Sequence, residues 1–151
     1  VVCYNSGISA CEKGVQWQAA LSLLSELFEV ELEPTVVSCN AAVSACEKAG
    51  QWQHALSLLN NMVERRLEPN VVSYNAGIGA CKRAGRWQHA VSMFSEVSRA
   101  GLDPDVISVS AAASACEKEG QWQQALMLLR DAVREKVKLD VISYSAGVSA
   151  C

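Results

Sequence analysis

Apolar residues recur along this chain at the spacing of one helix face, and then the whole pattern recurs. Trp52, Ala55, Leu56 and Leu59 stand at i, i+3, i+4 and i+7, and Trp122, Ala125, Leu126 and Leu129 repeat the stripe. A second pattern precedes each stripe: over residues 71–83, Tyr74, Ile78 and Cys81 share one face, while Asn75, Gly79 and Arg83 run along another. The run VVSYN carries strand-like β-branched residues, but one strand per unit would have nothing to pair with, so the segment is read as helix. Each unit is therefore a pair of amphipathic helices.

The units repeat every 35 residues. Residues 36–70 laid on 106–140 agree at 18 of 35 places, including the run Ala45, Cys46, Glu47, Lys48 against Ala115, Cys116, Glu117, Lys118. Trp returns at 17, 52, 87 and 122, Cys at 11, 46, 81, 116 and 151, and Pro at 34, 69 and 104, with Leu139 the exception. A fixed period of this size means stacked helix-turn-helix units, none of which buries its apolar face alone. The expected architecture is an all-α solenoid with repeats at 1–35, 36–70, 71–105 and 106–140, and the first helix of a fifth at 141–151. Both ends then expose stacking surface, as in a piece of a longer array, and are open to end-to-end self-association.

Punctuation agrees with this division. Thr35, Asn70, Asp105 and Asp140 precede the first helices, and all but Thr35 are Asn or Asp, good N-cap types. Small residues such as Ala41, Ala42, Ala45, Ala111, Ala112, Ala113 and Ala115 let the first helices approach closely as an inner row. Gly50, Gly85 and Gly120 close those helices; in the first unit the order is Lys13-Gly14-Val15, so an altered turn is expected there. Prolines 34, 69 and 104 end each unit.

Composition narrows the function. Half the residues are hydrophobic, yet no apolar run approaches the roughly 18 residues of a membrane span, so no membrane partner is expected. A net charge of -3 argues against a large basic patch, and any anion binding must use local contacts. Mixed charges such as Arg130, Asp131, Arg134, Glu135 and Lys136 read as solvated surface. Equivalent cysteines would sit about 10 Å apart, beyond disulfide reach, and read as buried reduced thiols. No CxxC occurs and His54 and His89 share one place of the repeat, so neither a metal nor another cofactor is expected. No nucleophile, base or phosphate-loop set stands outside the periodic pattern, which argues against an enzyme.

The 35-residue helix pair opening VVSYNAGI or VVSCNAAV, with Ala-Leu in the second helix and Leu-Glu-Pro-Asn or Leu-Asp-Pro-Asp at the close, resembles the pentatricopeptide repeat over the whole chain. The alternative is a tetratricopeptide-like protein interaction scaffold, whose period is 34 and whose hallmark aromatics fall early in the first helix, where this chain has Asn and small residues. Ala-Cys-Glu-Lys and Gln-Trp-Gln depart from the commonest pentatricopeptide pattern and suggest a divergent lineage.

The resemblance implies a right-handed superhelix that binds single-stranded RNA, one base per repeat. It implies base selection by the fifth and last residues of each repeat: Asn5 with Thr35, Asn40 with Asn70, Asn75 with Asp105, Ser110 with Asp140, and Ser145 opening a fifth site. It implies base flanking by Val2, Val37, Val72, Ile107 and Ile142, and phosphate contact by Lys13, Lys48, Arg83 and Lys118. Asn reaches a small pyrimidine and Ser leaves room for a purine; an ionised Asp accepts from the ring N–H of uracil or guanine, and Asn suits cytosine. The array would then read pyrimidine, pyrimidine, uracil, guanine. Glu12, Glu47 and Glu117 stand beside three of the four bases and are expected to cancel part of their field. The family further implies work on organellar RNA, in the chloroplast or alternatively the mitochondrion, in processing, stability, editing or translation, with protein partners or further domains in a longer chain.

Overall fold

The structure is a computed structural model describing residues 2–30, 32, 34–137 and 141–149, the side chains of 142, 143, 146 and 147 excepted. Its helices are α1 (Val2–Lys13), α2 (Trp17–Glu29), α3 (Val36–Lys48), α4 (Trp52–Glu64), α5 (Val71–Arg83), α6 (Trp87–Arg99), α7 (Val106–Lys118), α8 (Trp122–Arg134) and α9 (Val141–Ser149). No strand occurs among the described residues, and VVSYN is the first turn of α5.

Three first helices start from side-chain caps. Thr35, Asn70 and Asp105 accept the backbone N–H of Ser38, Ser73 and Ser108 at 3.3, 3.1 and 2.9 Å. In the first two, the serine hydroxyl accepts in return from the cap's own N–H, at 3.2 and 3.0 Å. This is a capping box with Ser in the place more often held by Glu or Gln. Asp140 lies outside the described residues.

The first helices stack as one row, α1 on α3, α3 on α5, α5 on α7 and α7 on α9. Each second helix packs between the first helix of its own repeat and that of the next, as α4 does between α3 and α5. Small side chains permit the close row: Ala42, Ala45, Ala80, Ala112, Ala113 and Ala115 are completely buried. Cys46, Cys81 and Cys116 occupy equivalent buried places, where burial pushes each thiol up to about 11, so they serve as packing atoms. The arrangement is an all-α helical repeat solenoid.

The outer helices hold one another through long side chains. The Trp17 ring meets His54 at 4.8 Å and Trp52 meets His89 at 4.7 Å, while the Arg65 guanidinium lies 3.9 Å over Phe28. Trp17 and Trp52 are thus packing anchors between adjacent repeats. On α8, Trp122 and Leu126 are 46% and 43% exposed.

The first inter-helix turn departs from the sequence expectation. Gly50, Gly85 and Gly120 take φ of 69, 66 and 64°, but Val15, not Gly14, adopts the equivalent conformation, at 56°. The hydrogen bonds of the turn are the same, Gln16 N–H to Cys11 O and Gln51 N–H to Cys46 O both at 2.8 Å. The turn is therefore unaltered, and the same hydrogen bonds hold a β-branched residue in the left-handed region. Val15→Gly is expected to stabilise the protein by about 1 kcal/mol, the relieved strain exceeding the entropy that glycine adds to the unfolded chain. Urea denaturation measures this, and the reverse change, Gly50→Val, should be destabilising.

Candidate nucleic-acid interface

The fifth residue of each repeat lies one turn into its first helix, and the closing residue caps the next first helix, so stacking brings the two side by side. Asn75 Nδ2 donates to both carboxylate oxygens of Asp105 at 3.1 Å, and Asn40 Nδ2 donates to Asn70 Oδ1 at 3.2 Å. Asn5 and Thr35 are joined through a third group, the Ser38 hydroxyl, which donates to Asn5 Oδ1 and lies 3.0 Å from Thr35 Oγ1.

That third group recurs. Ser73 Oγ donates to Asn40 Oδ1 at 2.5 Å and Ser108 Oγ to Asn75 Oδ1 at 2.5 Å. Ser38, Ser73 and Ser108 are completely buried, each with its hydroxyl between the cap and the Asn of the preceding repeat. With its oxygen held from below, the Asn amide turns its nitrogen towards the closing residue. The sequence reading did not single out these serines. Their recurrence every 35 residues, three places after a cap residue, was the available signal.

Partial burial acts to raise the Asp105 carboxyl, but donation by the Ser108 N–H and hydroxyl and by the Asn75 amide holds it below its ordinary range. Asp105 is therefore ionised and acceptor-only at neutral pH. Ser110 lines the same groove as Asn75, its partner place Asp140 lying outside the described residues. Ser145 is exposed on α9.

The flanking places form a row of exposed aliphatics: Val2, Val37, Val72 and Ile107 are 78, 65, 61 and 59% exposed, whereas the side chain of Ile142 is outside the described set. Val2, Asn5 and Lys13 share one groove of about 460 Å³. Asn75, Arg83, Ile107, Ser110 and Lys118 share another of about 440 Å³ with Glu47, Gly79 and Lys82. Aliphatic, amide or hydroxyl, and cation thus line one surface in the order the repeat presents them.

Two overlapping matches to the PPR repeat family model, at residues 34–82 and 69–116, cover more than half of the chain. The chain belongs to the pentatricopeptide repeat family. Solved pentatricopeptide repeat structures share the fold. The PPR domain of Arabidopsis thaliana protein-only RNase P 1, in complex with tRNA, superposes with a TM-score of 0.84 at 16% identity, over 95% of this chain and 76% of that one. PPR10 of maize, in complex with an 18-nt psaJ RNA element, gives 0.83 at 25% identity over 97% of this chain. Nuclear proteinaceous RNase P 2 of A. thaliana gives 0.86 at 14% identity over 99% of it. The chain spans only 22% of PPR10 and 34% of RNase P 2. No curated protein sequence matches it.

The basic places are less uniform than the sequence suggested. Lys48 Nζ is bonded to Glu12 of the preceding repeat at 2.9 Å, and Ser44 donates to the same oxygen at 2.8 Å. Burial acts to raise Glu12, but these donors hold it below the usual carboxylate range. Cancellation of charge therefore acts between repeats, since the side chain of Glu12 reaches the next helix. Glu47 makes the same reach and lies against Gly79, where a Cβ would collide with its carboxylate. Burial pushes Glu47 above its ordinary value, with Arg83 and Lys48 opposing.

Ser73→Ala removes the hydroxyl that both completes a cap and orients Asn40, and is expected to cost about 2 kcal/mol in urea denaturation. Ser57→Ala, on an exposed face, should stay within about 0.5 kcal/mol. Because the folded-state value of Glu47 lies above the unfolded one, its burial cost is absent in acid and grows as pH rises through the folded value. The melting temperature of Glu47→Gln should accordingly match wild type near pH 4 and exceed it increasingly towards pH 7.

Proposed function

We propose that this array binds single-stranded RNA with one base to each repeat, reading 5'-pyrimidine-pyrimidine-uracil-guanine-3' from repeat 1 to repeat 4. The observation that carries the reading is the trio of Asn75, Asp105 and Ser108. With the Asn75 oxygen held by the buried hydroxyl, its amide N–H serves the carbonyl of a pyrimidine, and the ionised Asp105 accepts from the ring N–H that uracil has and cytosine lacks. In repeat 2, Asn70 Oδ1 is occupied by Asn40 and Ser73, which leaves its amide nitrogen as a donor for the ring nitrogen of cytosine. Exposed aliphatics on either side close over the base faces. They cannot supply the about 1 to 3 kcal/mol per base of aromatic stacking, so affinity accumulates over many repeats.

Family membership and the RNA-bound PPR10 and RNase P 1 domain support this reading. In this reading the 151 residues act by occupying RNA: the grooves offer amides, hydroxyls, aliphatics, cations and the Glu47 carboxylate, and the amides, hydroxyls and cations bind and orient. Within the family this suits processing, stabilisation, editing or translation of organellar transcripts, with the chloroplast the first compartment to examine and the mitochondrion the second.

Fluorescence anisotropy tests the register. An oligomer carrying UCUG should bind at least about tenfold more tightly than the same bases scrambled, each mismatch costing about 1 to 3 kcal/mol. Asn75→Ser gives repeat 3 the Ser/Asp pair of repeat 4, and should move the preferred third base from U to G. A folded array that binds no single strand would sink the proposal and favour a peptide-binding scaffold.

A further inference from the structure

The charges at the end of each first helix are paired across repeats by a simple rule. The twelfth residue of one repeat reaches the thirteenth of the next. Glu12 accepts from Lys48 at 2.9 Å, with Ser44, at the ninth place, donating to it as well. One repeat on, Glu47 lies over Gly79, the place equivalent to Ser44, and faces the field of Arg83, the place equivalent to Lys48. Two of the three junctions whose residues are described are thus supplied with a carboxylate from the preceding repeat.

The third junction breaks the rule. The twelfth residue of repeat 3 is Lys82, and the thirteenth of repeat 4 is Lys118. Both line the groove of about 440 Å³ that also holds Arg83, Asn75, Ser110 and Ile107. Glu47, the one carboxylate among the residues lining that groove, lies in the fields of Arg83 and Lys82 together, and Glu119 lies instead over the turn at Gly85. With Lys82, Arg83 and Lys118 lining a groove that holds one carboxylate, the balance of charge there is positive and favours a bound anion.

We propose that Lys82 and Lys118 form a phosphate clamp at the junction of repeats 3 and 4, and that the twelfth residue of each repeat decides whether the following thirteenth residue is available to RNA. The proposal rests on the RNA-binding reading. Under it the phosphodiester contacts are unequal: Lys48 is engaged by Glu12, while Lys118 is reinforced by Lys82. The backbone beside the third and fourth bases is held most tightly, in the groove where Asn75 and Ser110 select them.

Salt titration of the 151-residue protein on the UCUG oligomer separates the contributions, because each phosphate neutralised on a single strand adds about 0.7 to the slope of log Kobs against log salt. Lys82→Glu supplies the missing carboxylate to Lys118 and should lower the slope by about 1.4, two phosphates' worth, with the UCUG preference retained. Glu12→Gln releases Lys48 and should raise the slope by about 0.7, with tighter binding. Arg130→Glu, on the exposed face of α8, makes the same change in net charge as Lys82→Glu and should leave the slope nearly unaltered. Equal effects of Lys82→Glu and Arg130→Glu, or no gain from Glu12→Gln, overturn the clamp while leaving RNA binding in place. A folded wild-type protein that binds no single strand overturns the RNA reading itself, and the clamp with it.

Discussion

One buried hydroxyl, from Ser38, Ser73 or Ser108, ties together each of the first three junctions between repeats. The side chain of Ser38, Ser73 or Ser108 belongs to one repeat, meets the cap supplied by the last residue of the repeat before, and reaches the Asn five places into that same preceding repeat. A polar group removed from water must find partners, and here the partners are the cap and the Asn amide. The junction that stabilises the stack is therefore the junction that orients the amides proposed to select bases. Folding and the proposed recognition draw on the same hydrogen bonds.

The close row of first helices follows from the same economy of size. Alanines and buried thiols keep the helices near enough for a serine to reach the previous repeat, and for Glu12 and Glu47 to reach the next. The outer helices, carrying Trp, Leu and Phe, join through rings and guanidinium groups. Small residues inside and large ones outside leave the first helices to line the grooves, with exposed Val37, Val72 and Ile107 standing ready on that surface.

Charge in such an array is a property of junctions more than of repeats. A net charge of -3 would discourage an RNA-binding reading if charge were averaged over the chain. Carboxylates instead offset particular cations: Glu12 pairs with Lys48, and Glu47 lies in the fields of Arg83, Lys48 and Lys82. The groove between repeats 3 and 4 sets Lys82, Arg83 and Lys118 against Glu47 alone. Local placement of charge lets an acidic protein present a groove with more cations than carboxylates.

The sequence by itself determined the period, the helix pairs, the capping places and the row of Asn and aliphatic positions, because each depends on spacing along the chain: 3.6 residues for a face and 35 for a unit. It also put the tryptophans on an apolar helix face, where Trp17, Trp52 and Trp87 pack against the core and Trp122 stays exposed, and it made VVSYN helix. Relations between units lay outside its reach. That Val15 takes the place of a glycine could not be read from the glycine pattern. That Glu12 bonds Lys48 of the next repeat besides feeling the adjacent Lys13, and that serine hydroxyls lock the amides, were decided by stacking. Such contacts join residues about 30 to 36 positions apart, where the offset depends on how one helix settles on another. Periodicity names the places that repeat. Only tertiary packing chooses which of them touch.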